Sequence, residues 1–100
     1  MLTSKQRAML RAQANTLDAS VYVGQNGITE TVLGQIGMNL DSHELVKIAI
    51  LQNCDIEAKQ IIGELASVLG AEPVQAIGRK VVLYRYSSKC KNHVKVSTKQ

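Results

Sequence analysis

Aromatic side chains are nearly missing from this 100-residue chain, which has three Tyr and neither Trp nor Phe. Any core built from it must be aliphatic, because no large ring is there to fill a central void. Long apolar runs are missing too. None approaches the ~18 residues of a membrane helix, so no membrane role is expected. No charged-then-apolar leader resembles a secretory signal. The two cysteines, Cys54 and Cys90, form no C-x-x-C pair and lack metal-ligand spacing. Two thiols permit one disulfide, but nothing points to secretion, and reduced thiols in a cytoplasmic protein are the expectation.

Histidine is as scarce, with only His43 and His93. There is no G-x-S-x-G elbow, no H-E-x-x-H, and no motif that sets a cysteine beside a base. His43-Glu44 could do acid–base work, but a loop histidine ahead of a strand reads as structural or exposed, and Cys54 as a structural thiol. An enzyme is not expected, and neither a cofactor nor a metal is implied.

Acidic residues are missing from both ends of the chain. Lys5, Arg7 and Arg11 stand in residues 1–17 without an acid, and Arg79, Lys80, Arg85, Lys89, Lys91, Lys95 and Lys99 stand in residues 79–100 without one. All eight acids lie between, against Lys47 and Lys59, and the net charge is +4. If the two ends meet in space they make a basic surface, suited to an anionic partner.

What is present reads as one α/β domain over residues 1–86, followed by a basic, flexible tail over 87–100. Thr3-Ser4-Lys5-Gln6 has the form of a capping box and predicts a helix to about Asn15, with Leu10 and Ala14 inward and Arg7 and Arg11 one turn apart on a neighbouring face. Ser20 to Val23 is a short strand. Thr29 caps a second helix, with Ile28 and Leu33 at the two positions of a hydrophobic staple. Val32, Leu33, Ile36 and Leu40 form its buried stripe, while Gly34 and Gly37 each cost it about 1 kcal/mol relative to Ala.

Glu44 to Leu51 is apolar on both parities, as a strand covered on both faces should be. Asp55 is placed to cap a third helix carrying Ala58, Ile61, Ile62, Leu65, Ala66 and Leu69, and Gly70 stops it. Val74 to Ile77 and Lys80 to Tyr86 make a hairpin on Gly78-Arg79, a two-residue turn of type II′. Pro73 takes a strand's first position. That register sets Val74 opposite Leu83, Ala76 opposite Val81, and Arg85 opposite Glu72. The order is α-β-α-β-α-β-β.

One stretch carries chemistry. In V-G-Q-N-G-I-T, Val23 to Thr29, two glycines three apart lie between a strand and a helix N-terminus, where backbone N–H groups and the helix dipole favour an anion. The stretch lacks the defining residues of the dinucleotide fingerprint and of the P-loop. G-x-x-G loops clamp single-stranded nucleic acid in KH modules. Tyr22, Tyr84 and Tyr86 are packing residues by their strand positions, with base stacking as the alternative.

Three blocks in order, V-G-Q-N-G-I-T, H-E-L-V-K-I (His43 to Ile48) and V-Q-A-I-G-R-K-V-V-L-Y-R (Val74 to Arg85), together with the opening L-T-S-K-Q-R, resemble the signatures of the YhbY-like, or CRM-domain, RNA-binding proteins. The resemblance spans roughly residues 2–86. It implies a four-stranded mixed sheet similar to the C-terminal domain of translation initiation factor three. It also implies a cytoplasmic single-domain protein that binds ribosomal RNA in precursors of the large subunit and assists assembly; a monomer is expected. By position, the RNA-contacting loop is Gly24, Gln25, Asn26 and Gly27. Family members often carry a basic residue inside this loop. Here Gln25 and Asn26 are neutral, so charge has to come from Lys5, Arg7, Arg11, Lys47, Lys80 and Arg85. The competing reading is a protein-interaction adaptor that uses the same basic surface.

Overall fold

A threonine three residues ahead of a glutamine sets the start of the first helix. In the computed structural model, which describes residues 3–52 and 57–87, Gln6 N–H donates to Thr3 Oγ1 (3.1 Å) and Thr3 N–H donates to Gln6 Oε1 (2.9 Å). Helix α1 then runs Ser4–Ala14. Strand β1 (Val21–Val23) follows, then α2 (Glu30–His43), β2 (Leu45–Ile50), α3 (Ala58–Leu69), β3 (Glu72–Ile77) and β4 (Lys80–Tyr84). The expected order α-β-α-β-α-β-β is the observed one. The four strands form one mixed sheet in the order β1-β2-β4-β3, with β1 parallel to β2 and the other pairs antiparallel.

Strand alternation sorts the core into two layers. Val21, Val23, Val46, Ile48, Ile50, Val81 and Leu83 project to one face, where Ile36 and Leu40 of α2 and Ala58, Ile61, Leu65 and Ala66 of α3 meet them. Leu45, Val74 and Val82 project to the other, where Leu10 and Ala14 of α1 cover them and Tyr84 packs alongside. Each aliphatic side chain fully buried in this way is worth roughly 1.5–3 kcal/mol. The face under α2 and α3 is covered along its length. Among the described residues the face under α1 is covered over only part of its area, and this asymmetry positions the candidate site.

Local signals place the element ends. Thr29 Oγ1 accepts from Val32 N–H (3.2 Å) at the start of α2, and Ile28 and Leu33 both pack on the larger core cluster. Gly70 ends α3 at φ 62°. Gly78 has φ 58° and Arg79 does not share the positive sign, which is the type II′ turn that the Gly-first pair predicts. The cap of α3 is Glu57, whose N–H donates to Gln60 Oε1 (3.4 Å). Asp55, expected to cap that helix, lies outside the described residues, as does Cys54.

Several expectations need correction. Glu44 does not open the second strand: it is the left-handed C-cap of α2, with φ 66°, and His43 is the last residue of that helix. Strand β4 ends at Tyr84, two residues short of Tyr86. Val74 does not oppose Leu83, because a bulge between Pro73 and Gln75 shifts the register: Pro73 pairs with Leu83 and Gln75 with Val82, while Ala76 pairs with Val81 as expected. The extra residue turns Val74 toward α1. Pro73 is the second residue of this outer strand, where a missing N–H does little harm. The same shift sets Tyr84, not Arg85, opposite Glu72.

Arg85 goes elsewhere. Its guanidinium donates to Leu69 O (2.7 Å), Gly37 O (3.2 Å) and Asp41 Oδ1 (2.8 Å), tying the end of α3 to the last turns of α2. Ser87, expected to begin the tail, is buried and built into this joint. Its N–H donates to Glu44 Oε2 (2.7 Å) and its hydroxyl to Asp41 O (2.7 Å). Residues 88–100 lie outside the described part.

Candidate nucleic-acid interface

The chain leaves β1 at Val23 and must reach the first turn of α2 within six residues. It does so through a tight turn in which Gly27 N–H donates to Gly24 O at 2.9 Å. Gly27 has φ 70°, a conformation that glycine adopts freely and other residues take at a cost of roughly 1–2 kcal/mol. Gln25 and Asn26 occupy the exposed corners of the turn, with Gly24 and Gly27 half-buried behind them. Both amide side chains therefore present donors and acceptors to solvent.

The helix N-terminus contributes less to anion binding than the sequence suggests. Glu30 is the first residue of α2, so a carboxylate already occupies the region its dipole favours. A phosphate there would meet a like charge. The turn itself, with its amides and with Gln25 and Asn26, is the better grip.

Backbone bonds fix what stands beside the turn. Leu51 N–H donates to Val23 O (2.8 Å), and Ile50 N–H donates to Arg79 O (2.7 Å). Arg79 Nη1 also donates to Leu51 O (3.0 Å), so the β3–β4 turn is tied to the exit of β2 next to the glycine turn. At this end, on the face that α1 leaves open, register places Tyr22, Ala49, Lys80 and Ile77 side by side across all four strands. That row is about 14 Å wide at ~4.8 Å per strand. Tyr22 is 56% exposed and Ile77 61% exposed. Next to the row is a groove of about 190 Å³ lined by Asn15, Lys47, Gln75, Ile77, Lys80 and Val82.

The cations expected from sequence divide into three groups. Lys80 is exposed within the row, and Lys5, Arg7 and Arg11 ride on α1, the helix that covers the rest of the same face. Lys47 lines the groove, but its ammonium donates to Ala14 O (3.3 Å) and Leu17 O (3.2 Å), closing the carbonyl end of α1. Arg85 follows β4 at the opposite end of the sheet, about 17 Å from the glycine turn by the six-residue length of β2. With its guanidinium spent on α2 and α3, it cannot share a site with Gly24–Gly27. Arg79 was not anticipated, and its exposed place beside the turn follows only from strand register.

Of the three tyrosines, Tyr22 alone stands near the turn. Tyr84 packs against α1, and its hydroxyl is held above the ordinary value of 10.0 by burial first, then by the Glu44 carboxylate and by Tyr86. Among the described residues no three His, Cys, Asp or Glu side chains gather as a metal site would need, and no helix is long and apolar enough to cross a membrane.

Comparison with known proteins gives one consistent result. Residues 2–85 match the CRS1 / YhbY (CRM) domain. The chain is 35% identical to YqeI of Bacillus subtilis, a probable RNA-binding protein, over 91% of this chain and 95% of that one. It is 41% identical to an RNA-binding protein of Haemophilus influenzae, over 90% and 91% of the two chains. The solution structure of a hypothetical protein from Staphylococcus aureus superposes with a TM-score of 0.76 at 38% identity, covering 88% of this chain and 92% of that one.

Proposed function

The chain belongs to the CRS1 / YhbY (CRM) domain family, and from that premise we propose that it is a non-catalytic, cytoplasmic RNA-binding protein. It acts as a monomer on ribosomal RNA in precursors of the large subunit and assists their assembly. The observation that supports this best is the company of the glycine turn. Gly24–Gly27, exposed Tyr22, and the cations Lys80 and Arg79 share one end of the sheet, on or beside the face that α1 leaves open.

Each part suits single-stranded RNA for a different reason. The turn lets a sugar–phosphate strand approach the backbone closely, and Gln25 and Asn26 hydrogen-bond without adding charge. Tyr22 offers a ring for stacking beside the turn. Lys80, with Lys5, Arg7 and Arg11 on α1, supplies the charge that the turn lacks, so most of the affinity is ionic and sensitive to salt.

The test is binding to fragments of large-subunit ribosomal RNA across a salt series. Log affinity should fall with log salt at a slope of about −0.7 for each phosphate neutralised on a single strand. Reversing Arg7 and Arg11 together to Glu should flatten that slope and weaken binding while the fold survives. Salt-independent binding, or a double variant that binds as before, would sink the surface assignment. Crosslinking in cells should recover precursor RNA of the large subunit. Recovery of other RNA classes would remove the ribosomal part, and a protein partner that survives nuclease would favour the adaptor.

A further inference from the structure

Strand β1 is too short for its neighbour. It first meets β2 at Val21 opposite Ile48, while β2 begins three residues earlier at Leu45. The backbone directions follow from bonds already described. Glu44 O accepts from Arg85 N–H, and Ile50 N–H donates to Arg79 O, so even-numbered residues of this stretch turn toward β4. Leu45, Lys47 and Ala49 therefore turn their N–H and C=O groups toward the β1 side. Ser20 N–H donates to Lys47 O (3.0 Å), but among the described residues no strand reaches Leu45 on that side.

The gap so left is a notch of about 390 Å³. Gln13 at the end of α1 and Leu17, Asp18 and Ser20 of the segment that follows close one side, α2 closes the other with Asn39 and His43, and Leu45 and Lys47 form the floor. Asn39 Nδ2 donates to Gln35 O (2.8 Å), which fixes the amide and leaves Oδ1 as the acceptor it can offer. Leu17 is 39% exposed and adds an apolar wall. The notch thus combines an apolar wall, a backbone N–H beside a backbone C=O, and a second acceptor on a helix. A flat ring whose Watson–Crick edge sets an amino group beside an acceptor ring nitrogen, as adenine and cytosine do and guanine, with its N1–H, does not, answers all of these. The N–H donates to the ring nitrogen, and the amino group donates to Leu45 O and Asn39 Oδ1.

We propose that this notch is a nucleobase subsite for adenine or cytosine, holding one base of a strand whose backbone is gripped at Gly24–Gly27. The proposal rests on the RNA-binding reading above and extends it with base selection. Distance suits it: Leu45 lies the length of β2 from the glycine turn, about 17 Å, the length of roughly five stacked nucleotides at 3.4 Å each. Tyr22, opposite Ala49, lies on that path near the turn with its ring exposed. Uracil lacks the amino group and leaves Asn39 Oδ1 without a donor.

Single-stranded hexamers of A, C and U, titrated into the full chain at one salt concentration, test it. A and C should bind about tenfold more tightly than U, the discrimination of one well-placed hydrogen-bonding group. The amide resonances of Leu45 and Ser20 should shift with A and C and stay in place with U. Asn39→Leu puts a helix-favouring residue on α2 and removes the acceptor, so the A-to-U ratio should drop to about one while binding to U is unchanged. Equal affinity for A, C and U with intact salt dependence overturns the subsite and leaves the RNA-binding reading standing. So does an Asn39→Leu variant that keeps its preference. Failure of every hexamer to bind at any salt overturns both.

Discussion

At Glu44 the backbone adopts a left-handed φ of 66°, which costs a residue with a Cβ roughly 1–2 kcal/mol. Glycine is the usual solution at a helix C-terminus, as at Gly70. Glutamate persists here with its side chain fully buried, its carboxylate accepting the buried Ser87 N–H at 2.7 Å. Two effects therefore oppose each other at one position, and two substitutions separate them. Glu44→Ala keeps the backbone strain and orphans a buried donor, so it should lower unfolding free energy by about 2 kcal/mol. Glu44→Gly orphans the same donor but relieves the strain, recovering about 1 kcal/mol of that loss. Urea unfolding midpoints in the order wild type, Gly, Ala would bear this out, and equal midpoints for Gly and Ala would show that the strain is absent. Residue by residue, the sequence is legible wherever the deciding partner is within four positions, as with Thr3 and Gln6 or Gly78 and Arg79. It is opaque at Glu44 and Arg85, whose partners Ser87, Asp41 and Gly37 lie 43, 44 and 48 positions away.

Among the elements, α2 carries a defect that its packing does not require. A Cβ built at Gly34 meets nothing within 4 Å, and one at Gly37 would reach only ordinary contact with Leu69 Cδ2 at 4.0 Å. Close approach of α2 and α3 therefore does not account for Gly34, which lies on an exposed part of the helix. Gly34→Ala should stabilise the domain by about 1 kcal/mol, the difference in helix propensity alone. A thermal melt that does not rise would mean that α2 frays there or that the glycine is used in the unfolded chain. Helix stripes and caps could be read from sequence because helical periodicity is a local property. The bulge at Val74 could not: Pro73 breaks the ladder, but which neighbour becomes the extra residue is settled by α1 packing on the far side of the sheet. That one residue undid both the Val74–Leu83 and the Arg85–Glu72 pairings.

Across the whole molecule, the two ends of the sheet do different work. At the Arg85 end, Glu44, Asp41 and Ser87 lock the helices to the strands. At the glycine-turn end, polar and aromatic groups stand exposed on a face that α1 leaves open. The sequence places the turn, because strand, glycines and capped helix follow one another directly. It does not sort the cations, because sorting depends on which ones are already engaged by the fold. Lys47 and Lys80 make the comparison cleanly, since both line the same groove. Lys47→Met loses two hydrogen bonds, to Ala14 O at the end of α1 and to Leu17 O beyond it, and should destabilise the fold by about 1–2 kcal/mol. Its effect on RNA affinity should be the smaller of the two, measured where both variants are folded. Lys80→Met removes an exposed charge, so stability should change by less than about 0.5 kcal/mol. The salt slope of RNA binding should become shallower by about 0.7, one phosphate fewer on a single strand. If the slope instead drops for Lys47 and holds for Lys80, the strand crosses the sheet nearer to α1, and the row from Tyr22 to Ile77 is not its path.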